Sequence, residues 1–440
     1  MLNCRLSMLL LCSAFAATSA HAAYLETEPG DWGVAMSFRS ATIPFNITED
    51  LVPGVHDSEF VNDFVPMFYY HGEHVYMDGT ELGAYLWKGD NSSVALMGRY
   101  RFFDIPKDLQ NAIRKDGLDT GLKWTWRFDD DTFFKADLLT DLESRFQSNL
   151  ELSRYYRGNG WQLTPYASAK LKTSRFNSYY YGLSEATDID AKADIDWKVG
   201  LSGRYHLWQE LYLVGDVGAS VFGSNTRGLD TIDKSGQFES YVGFAFFGSE
   251  LKKGNASLPS GYLRVAHNWG TPSNLSEILE FDWEHNSNQL TSIAYGHKLS
   301  DTLLSLPIEV YLHTAFAFHY GSSDQSSKTE YVFAFKGYYT FNTPVRVRFG
   351  AGEGLSYISS LTYIEDTEME DKGYKGSKFM NYLDFSLDLN VGDLFRKPQW
   401  ENAWFGYNIH HRSAIFESSA MFGRIKGGSN YHGFHLQWHW

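Results

Sequence analysis

The chain has 440 residues, of which 43% are apolar and 17% aromatic, and its formal net charge is −15 at pH 7. Its mean hydropathy is −0.34, and after the N-terminal segment no run approaches the ~20 apolar residues of a membrane-spanning helix. These values exclude a helical membrane protein. The acidic balance also argues against nucleic acid as a partner, because nucleic-acid binding requires a basic surface.

The N-terminal segment predicts export from the cytoplasm. Arg5 precedes an apolar run, and Ala20-His21-Ala22 supplies the small residues of a cleavage site. We therefore expect residues 1–22 to be a signal peptide. Both cysteines of the chain lie within it, so the exported protein has no disulfide bond.

Segments in which apolar and polar residues alternate recur along the rest of the chain. A period of two is typical of strands with one face toward lipid and the other toward a polar lumen. Clear examples are Trp32–Phe38, Val94–Tyr100, Leu122–Phe128, Tyr212–Val221, Val310–Phe318, Tyr331–Tyr339 and Tyr382–Leu389. The pattern predicts an all-β transmembrane antiparallel β-barrel fold, and the abundant aromatic residues fit girdles at both membrane interfaces.

One stretch, Gly248–Gly261, is polar, rich in small residues and without alternation, and it follows the aromatic-rich segment Phe238–Phe247. We therefore expect two tandem barrels of about twelve and about eight strands, residues 23–247 and residues 262–440, joined by a linker at 248–261. A single large barrel of about twenty strands is the alternative. The only predicted helix is a short one in a loop, Pro106–Lys115.

The end of the chain indicates where the protein is located. Apolar residues alternate with glycine and polar residues throughout its last segment: Phe434, Leu436, Trp438 and Trp440 against Gly433, His435, Gln437 and His439. A terminal aromatic strand of this kind is typical of barrels in the bacterial outer membrane. There it closes the sheet and is recognised by the barrel-assembly machinery, which we expect to be a partner.

The first half of the chain resembles the MipA/OmpV family of outer-membrane proteins over about Trp32–Phe247. Three stretches carry the resemblance: Phe64–Trp87, with FVPMFYY and GTELGAYLW, then Asn177–Ser184 (NSYYYGLS), and Tyr212–Phe247. The resemblance implies a scaffold that links murein-degrading and murein-synthesising enzymes at the outer membrane. We interpret Tyr179, Tyr180 and Tyr181 as interfacial aromatics at a strand end rather than as ligand contacts.

The second half is similar to the PagL family of lipid A deacylases, which are eight-stranded barrels of the acyloxyacyl-hydrolase type. Phe349–Ser359 and the final hairpin, Trp404–Trp440, carry this similarity. It implies an enzyme that removes an acyl chain from lipid A, with the outer-membrane lipid and lipopolysaccharide as partners. In that family the last hairpin bears a His-x-Ser pair, followed by Gly-x-Glu on the closing strand.

His411 and Ser413 match the His-x-Ser pair. Their spacing places both on one strand face with Cβ atoms ~7 Å apart, so that the imidazole could take a proton while the hydroxyl attacks an ester carbonyl. Asn430 stands where the family has its acid, and Glu417 is the candidate to replace that carboxylate. Because loss of a triad carboxylate costs about 10⁴ in rate, the alternative is a hairpin that keeps the pair without turnover.

Other polar clusters give weaker indications. Two acidic runs, Asp129–Asp131 and Glu365–Asp371, are interpreted as solvated loop tips rather than Ca²⁺ sites, because neither has the ligand spacing of a calcium loop. No histidine pattern is typical of zinc, and we expect no metal and no cofactor. The resulting functional hypotheses are a scaffold for murein remodelling and, as an alternative, a lipid A acyl-ester hydrolase. A porin-like channel is disfavoured because side chains fill small barrels.

Overall fold

The computed structural model describes residues 32–46, 59–106, 117–141, 143–184, 187–208, 210–248, 260–280, 282–284, 286–303, 306–371, 376–413 and 428–440. These residues form two separate antiparallel barrels, which confirms the predicted fold class. The expectations for residues 1–22, for most of 106–115 and 248–261, and for Glu417 lie outside the described residues.

The N-terminal barrel is built from strands β1 to β13. Their bounds are β1 Trp32–Thr42, β2 Phe60–His71, β3 Val75–Gly79, β4 Glu81–Lys88, β5 Ser92–Arg101, β6 Gly117–Arg127, β7 Thr132–Thr140, β8 Phe146–Arg154, β9 Tyr156–Gly158, β10 Trp161–Lys172, β11 Asp194–Trp208, β12 Leu211–Val221 and β13 Gly236–Gly248. Strands β8 and β9 lie end to end along β10, so the wall has twelve strands. The pairing of β13 with β1 closes it, with Trp32 opposite Gly248.

The C-terminal barrel has eight strands. They are β14 Gly261–Thr271, β15 Gln289–Ser300, β16 Ile308–His319, β17 Lys328–Phe341, β18 Val347–Ile358, β19 Phe379–Asn390, β20 Ala403–Ser413 and β21 Gly428–His439. Each strand pairs with its neighbour in sequence, and β21 closes the barrel against β14, with Trp438 opposite Leu263.

Short helices lie in the connections between strands. They are α1 Ser174–Tyr180, α2 Ser224–Arg227, α3 Leu275–Leu279, α4 Tyr363–Asp371 and α5 Val391–Phe395, followed by a 3₁₀ turn at Pro398–Trp400. None of the described helices is both long and apolar enough to cross a membrane.

The alternation predicted for the closing strand is present in the structure. Phe434, Leu436 and Trp438 project outward and are 45–60% exposed, whereas His435 and Gln437 are buried in the lumen. The same division into an apolar outer face and a polar lumen holds along both barrels, which is the arrangement that a lipid bilayer requires.

In each barrel most connections at one end are short, whereas most of those at the other end are long. In the N-terminal barrel, residues 89–91 form one of the short turns, whereas residues 173–193 are a long connection at the opposite end. In the C-terminal barrel, the long connections include residues 272–288 and 359–378. Outer-membrane barrels place short turns in the periplasm and long loops outside the cell, so we refer to the short-turn end and the extracellular end.

Candidate functional site

The final hairpin, β20 and β21, brings three of the predicted site residues together. Strand β20 carries His411 and Ser413, and cross-strand pairing places His411 directly opposite Asn430 on β21. All three lie at the extracellular end of the barrel, and the alternation of the two strands puts them on the outer face. An acyl chain of the outer leaflet would meet this surface.

Asn430 fixes the orientation of the imidazole of His411. The Nδ1 atom of His411 lies 2.5 Å from Oδ1 of Asn430, while Nδ2 of Asn430 donates to the carbonyl oxygen of Ser273 at 2.7 Å. That second bond turns the amide oxygen toward the ring, so Nδ1 carries the hydrogen and Nε2 keeps its lone pair. Nε2 is the nitrogen that could act as a base.

Ser413 makes no hydrogen bond to His411 among the described residues. It lies at the end of β20, where its backbone pairs with Gly428 on β21. His411 and Ser413 share one strand face, as their spacing requires. The hydrogen bond between hydroxyl and imidazole that an assembled catalytic pair would have is not formed between them. Contacts of this kind often tighten only when substrate is bound.

A carboxylate that the sequence analysis missed lies at the same place. The side chain of Glu368, on α4, accepts a hydrogen bond from the backbone N–H of Gly428 at 2.8 Å, and Gly428 is the cross-strand partner of Ser413. The interpretation of the run Glu365–Asp371 as a solvated loop tip is therefore wrong. The run forms a helix, and Glu365 is completely buried, where it contacts Arg412 and Ser429.

The lumen of the C-terminal barrel contains a second cluster of titratable groups. His319 and His410 both direct Nε2 to the carboxylate of Glu330, at 2.7 and 3.0 Å, and Ser356 donates to the other oxygen of the same carboxylate. The hydroxyl of Ser356 therefore bonds to the Glu330 carboxylate and not to a histidine, so this cluster is not a nucleophile–base pair. Adjacent residues His410 and His411 face opposite sides of the wall.

Ion pairs cross the lumens of both barrels. In the C-terminal barrel, Asp384 bonds to Arg264 and Lys336. In the N-terminal barrel, Arg39 pairs with Asp63 and Asp104 at 3.0 and 2.7 Å, and also with Glu239. Within the described residues, no group of three or more His, Cys, Asp or Glu side chains is arranged to hold a metal ion.

The tyrosine-rich segment of the N-terminal barrel differs from its prediction. Tyr179 and Tyr180 lie in helix α1, and Tyr181 is its C-cap residue. Tyr180 is 4% exposed in an aromatic cluster at the extracellular end, and Tyr179 and Tyr181 pack against that cluster, so the three are not girdle residues. Arg101 donates to the hydroxyl of Tyr180, which in turn donates to Asp141 at 2.6 Å. Burial raises the pKa of the Asp141 carboxyl, but hydrogen bonds from Tyr180 and Arg145 outweigh it and lower the pKa to about 2.

The other acidic run, Asp129–Asp131, is an exposed turn as predicted. One oxygen of Asp129 accepts hydrogen bonds from the backbone N–H groups of Asp131 and Thr132, at 2.9 and 2.7 Å. These backbone bonds lower the pKa of Asp129, the one from Asp131 most strongly. The carboxylate therefore caps the turn.

One family model matches part of the chain, within the N-terminal barrel. Residues 47–246 match the family model of the MltA-interacting protein MipA, which covers β2 and nearly all strands up to the end of β13. The protein is a bacterial outer-membrane β-barrel protein. This conclusion rests on that match and on two closed barrels whose outer faces are apolar.

Other comparisons give distant similarity or none. No curated protein sequence matches the chain. The solved structures similar to this outer-membrane protein include a bacterial polysaccharide outer membrane secretin, at 9% identity, covering 96% of this chain and 100% of the other, with a TM-score of 0.25. Pseudomonas aeruginosa OccK11 covers 94% and 99% at 8% identity and a TM-score of 0.22. LpxR from Salmonella typhimurium covers 66% and 88% at 9% identity and a TM-score of 0.19.

Proposed function

We propose that the N-terminal barrel is a membrane anchor to which murein-remodelling enzymes dock at the inner face of the outer membrane. The observation that carries this proposal is the match of residues 47–246 to a family described as interacting with MltA. The resemblance of the same region to a murein scaffold agrees with it. The partner would be a periplasmic protein or complex, because murein lies on that side of the membrane.

The short-turn end of this barrel offers a suitable surface. Exposed charged side chains project there from three neighbouring turns: Asp90, Asp129, Asp130, Arg154 and Arg157. Their ion pairs are loose, at 3.7 Å for Arg154–Asp129 and 3.8 Å for Arg157 with the adjacent Asp131. Exposed ion pairs contribute little to stability, so these side chains can exchange partners at small cost.

Site-specific photo-cross-linking in cells tests the anchor. A photo-reactive residue at Asp130, on the short-turn end, should capture a murein-degrading transglycosylase or a murein synthase. The same residue at Lys192, which is exposed in the connection between α1 and β11, is the matched control and should capture neither. Failure to recover any murein enzyme from position 130, or equal yields from both positions, would contradict the proposal.

As a second candidate we propose that the C-terminal barrel hydrolyses an acyl ester of lipid A. The observation that favours it is the outward-facing group of His411, Ser413 and Asn430 at the extracellular end, with His411 oriented by Asn430. Nε2 of His411 would take the proton of the Ser413 hydroxyl as Oγ attacks the ester carbonyl. The ester C–O bond breaks, the lipid A alcohol leaves with the proton from His411, and water then hydrolyses the acyl-serine to release the fatty acid and restore Ser413.

Mass spectrometry of lipid A tests the hydrolase. Overexpression of the wild-type protein should yield lipid A that lacks one acyl chain, and Ser413→Ala should abolish this product. Ser359→Ala, at an exposed serine after β18, is the control for loss of a hydroxyl at this end of the barrel. Unchanged lipid A with the folded wild-type protein would rule out this function, whereas the anchor proposal would be unaffected.

A further inference from the structure

The lumen of the N-terminal barrel contains a cavity of about 170 Å³ beside helix α1. Because one buried water occupies ~10–15 Å³ of such a cavity, there is room for about a dozen waters or for a small organic molecule. Part of its wall is aromatic and includes Phe102, Phe103, Phe176 and Phe222. The wall also contains five cations, Arg39, Arg99, Arg101, Lys170 and Lys198, and four carboxylates, Asp104, Asp137, Asp196 and Glu239.

Each of the four carboxylates has a cationic partner. Asp104 pairs with Arg39 and Asp137 with Arg99, both at 2.7 Å, and Glu239 pairs with Lys198 at 3.0 Å. Asp196 pairs with Lys172 at 2.7 Å and also accepts a hydrogen bond from the backbone N–H of Gly223. Arg101 has its own partner, Asp119, at 2.6 Å.

Lys170 is the cation of the wall that lacks such a partner. It lies on β10, with Asp196 as its cross-strand neighbour on β11 and Asn149 on β8. Among the described residues no hydrogen bond or ion pair reaches its ammonium group, and the ring of Phe176 lies 5.2 Å from Nζ. The neighbouring Asp196 is already bonded to Lys172, so Lys170 has no carboxylate of its own.

We propose that this cavity binds a small organic carboxylate, whose charge pairs with Lys170 and whose apolar body lies against the aromatic wall around Phe176. An ammonium group that faces the lumen of a barrel is stabilised when an anion joins it. A lumenal site that combines one charged anchor with aromatic walls is typical of small-molecule binding. This binding is separate from the docking and hydrolysis proposed above.

Calorimetric titration of the full-length protein in detergent tests the site, with benzoate as the probe. The wild type should bind one benzoate saturably, and the neutral analogue benzyl alcohol should not bind measurably. Lys170→Met should weaken benzoate binding about tenfold or more, the loss expected for a charge-assisted hydrogen bond. Lys170→Arg, which keeps the charge, should retain most of the affinity, and Lys192→Met on the exposed surface should leave it unchanged.

The fold of each variant is checked first by its heat-dependent shift in gel mobility, so that unfolded protein is not scored. The proposal is overturned if the wild type shows no saturable benzoate binding, or if the folded Lys170→Met variant binds benzoate as tightly as the wild type. Titration with inorganic phosphate separates the ligand classes. If phosphate binds, requires Lys170 and prevents benzoate from binding, the ligand of the cavity is an inorganic anion. That result would overturn the proposal of an organic carboxylate.

Discussion

His411 and Asn430 face each other across the last two strands of the C-terminal barrel, with Nδ1 of the imidazole 2.5 Å from the amide oxygen. The amide holds the ring in the tautomer that leaves Nε2 free to accept a proton. It carries no negative charge, however, and so it cannot stabilise the imidazolium that forms when Ser413 is deprotonated. Because Asn430 orients His411 but adds no negative charge beside it, we expect His411 to be a weak base.

The first prediction is that Asn430→Glu increases the rate of acyl release, if the C-terminal barrel is a hydrolase. The carboxylate restores the charge beside Nδ1, and the gain should be at least tenfold and within the ~10⁴ that a triad carboxylate supplies. Asn430→Gln, which lengthens the side chain without charge, is the control and should give no gain. Rates are measured on purified lipid A with folded protein. Equal rates for Asn430→Glu and the wild type would show that the base is not His411.

The parts of the fold that follow most directly from the sequence are those in which a physical constraint repeats at every second residue. Each residue of a barrel strand faces either lipid or lumen, so the alternation in Gly433–Trp440 determined the faces of β21, and the shared face of His411 and Ser413 followed in the same way. It also separated His410, which is lumenal, from His411. None of this required knowledge of distant residues.

Two segments differ from their predictions because contacts with residues distant in the sequence determine their structure. The sequence places Tyr179, Tyr180 and Tyr181 at a strand end, yet Tyr180 belongs to a helix, and Arg101 and Asp141, far away in the sequence, bond its hydroxyl. A local signal was present, since Thr173 caps the helix by accepting from the N–H of Phe176. Glu368 was missed for the same reason, because its position depends on how α4 folds onto β21.

The second prediction concerns Arg39, which is 1% exposed and bonded to Asp63, Asp104 and Glu239 in the lumen. Arg39→Met should lower the free energy of unfolding by about 3–5 kcal/mol, because it leaves buried carboxylates without their cation. Urea unfolding in detergent, followed by tryptophan fluorescence, measures this. The control is Arg154→Ala, which breaks an exposed pair and should cost under about 1 kcal/mol. Similar losses for the two variants would argue against a structural role for the lumenal network.

The third prediction is a pH dependence at Asp141, whose pKa is about 2 in the folded protein. Because this is below the ~3.9 of an unfolded chain, the carboxylate stabilises the fold above pH ~4 and loses this contribution as the pH falls toward 2. Asp141→Asn should therefore be less stable than the wild type at pH 7, by about 1 kcal/mol after allowance for solvent screening. The two proteins should converge near pH 2.

The control for Asp141 is Asp130→Asn, a change at an exposed turn that should alter stability by less than about 0.5 kcal/mol at any pH. Unfolding midpoints between pH 2 and pH 7 provide the comparison. A difference between Asp141→Asn and the wild type that persists undiminished at pH 2 would mean that the lost interaction is not that of an ionised carboxylate with Tyr180 and Arg145.

The fourth prediction tests the membrane orientation of the closing strand. Phe434 lies near the middle of β21, is 49% exposed and faces outward, so Phe434→Arg should destabilise the barrel by about 2–4 kcal/mol in a bilayer. Phe434→Leu keeps the surface apolar and should cost under about 1.5 kcal/mol. Gln437→Glu places a charge in the lumen, beside the hydroxyl of Tyr338, which can still donate to it. Unfolding from phosphatidylcholine vesicles measures all three, and a larger loss at Gln437 than at Phe434 would mean that the polar face, not the aromatic face, meets lipid.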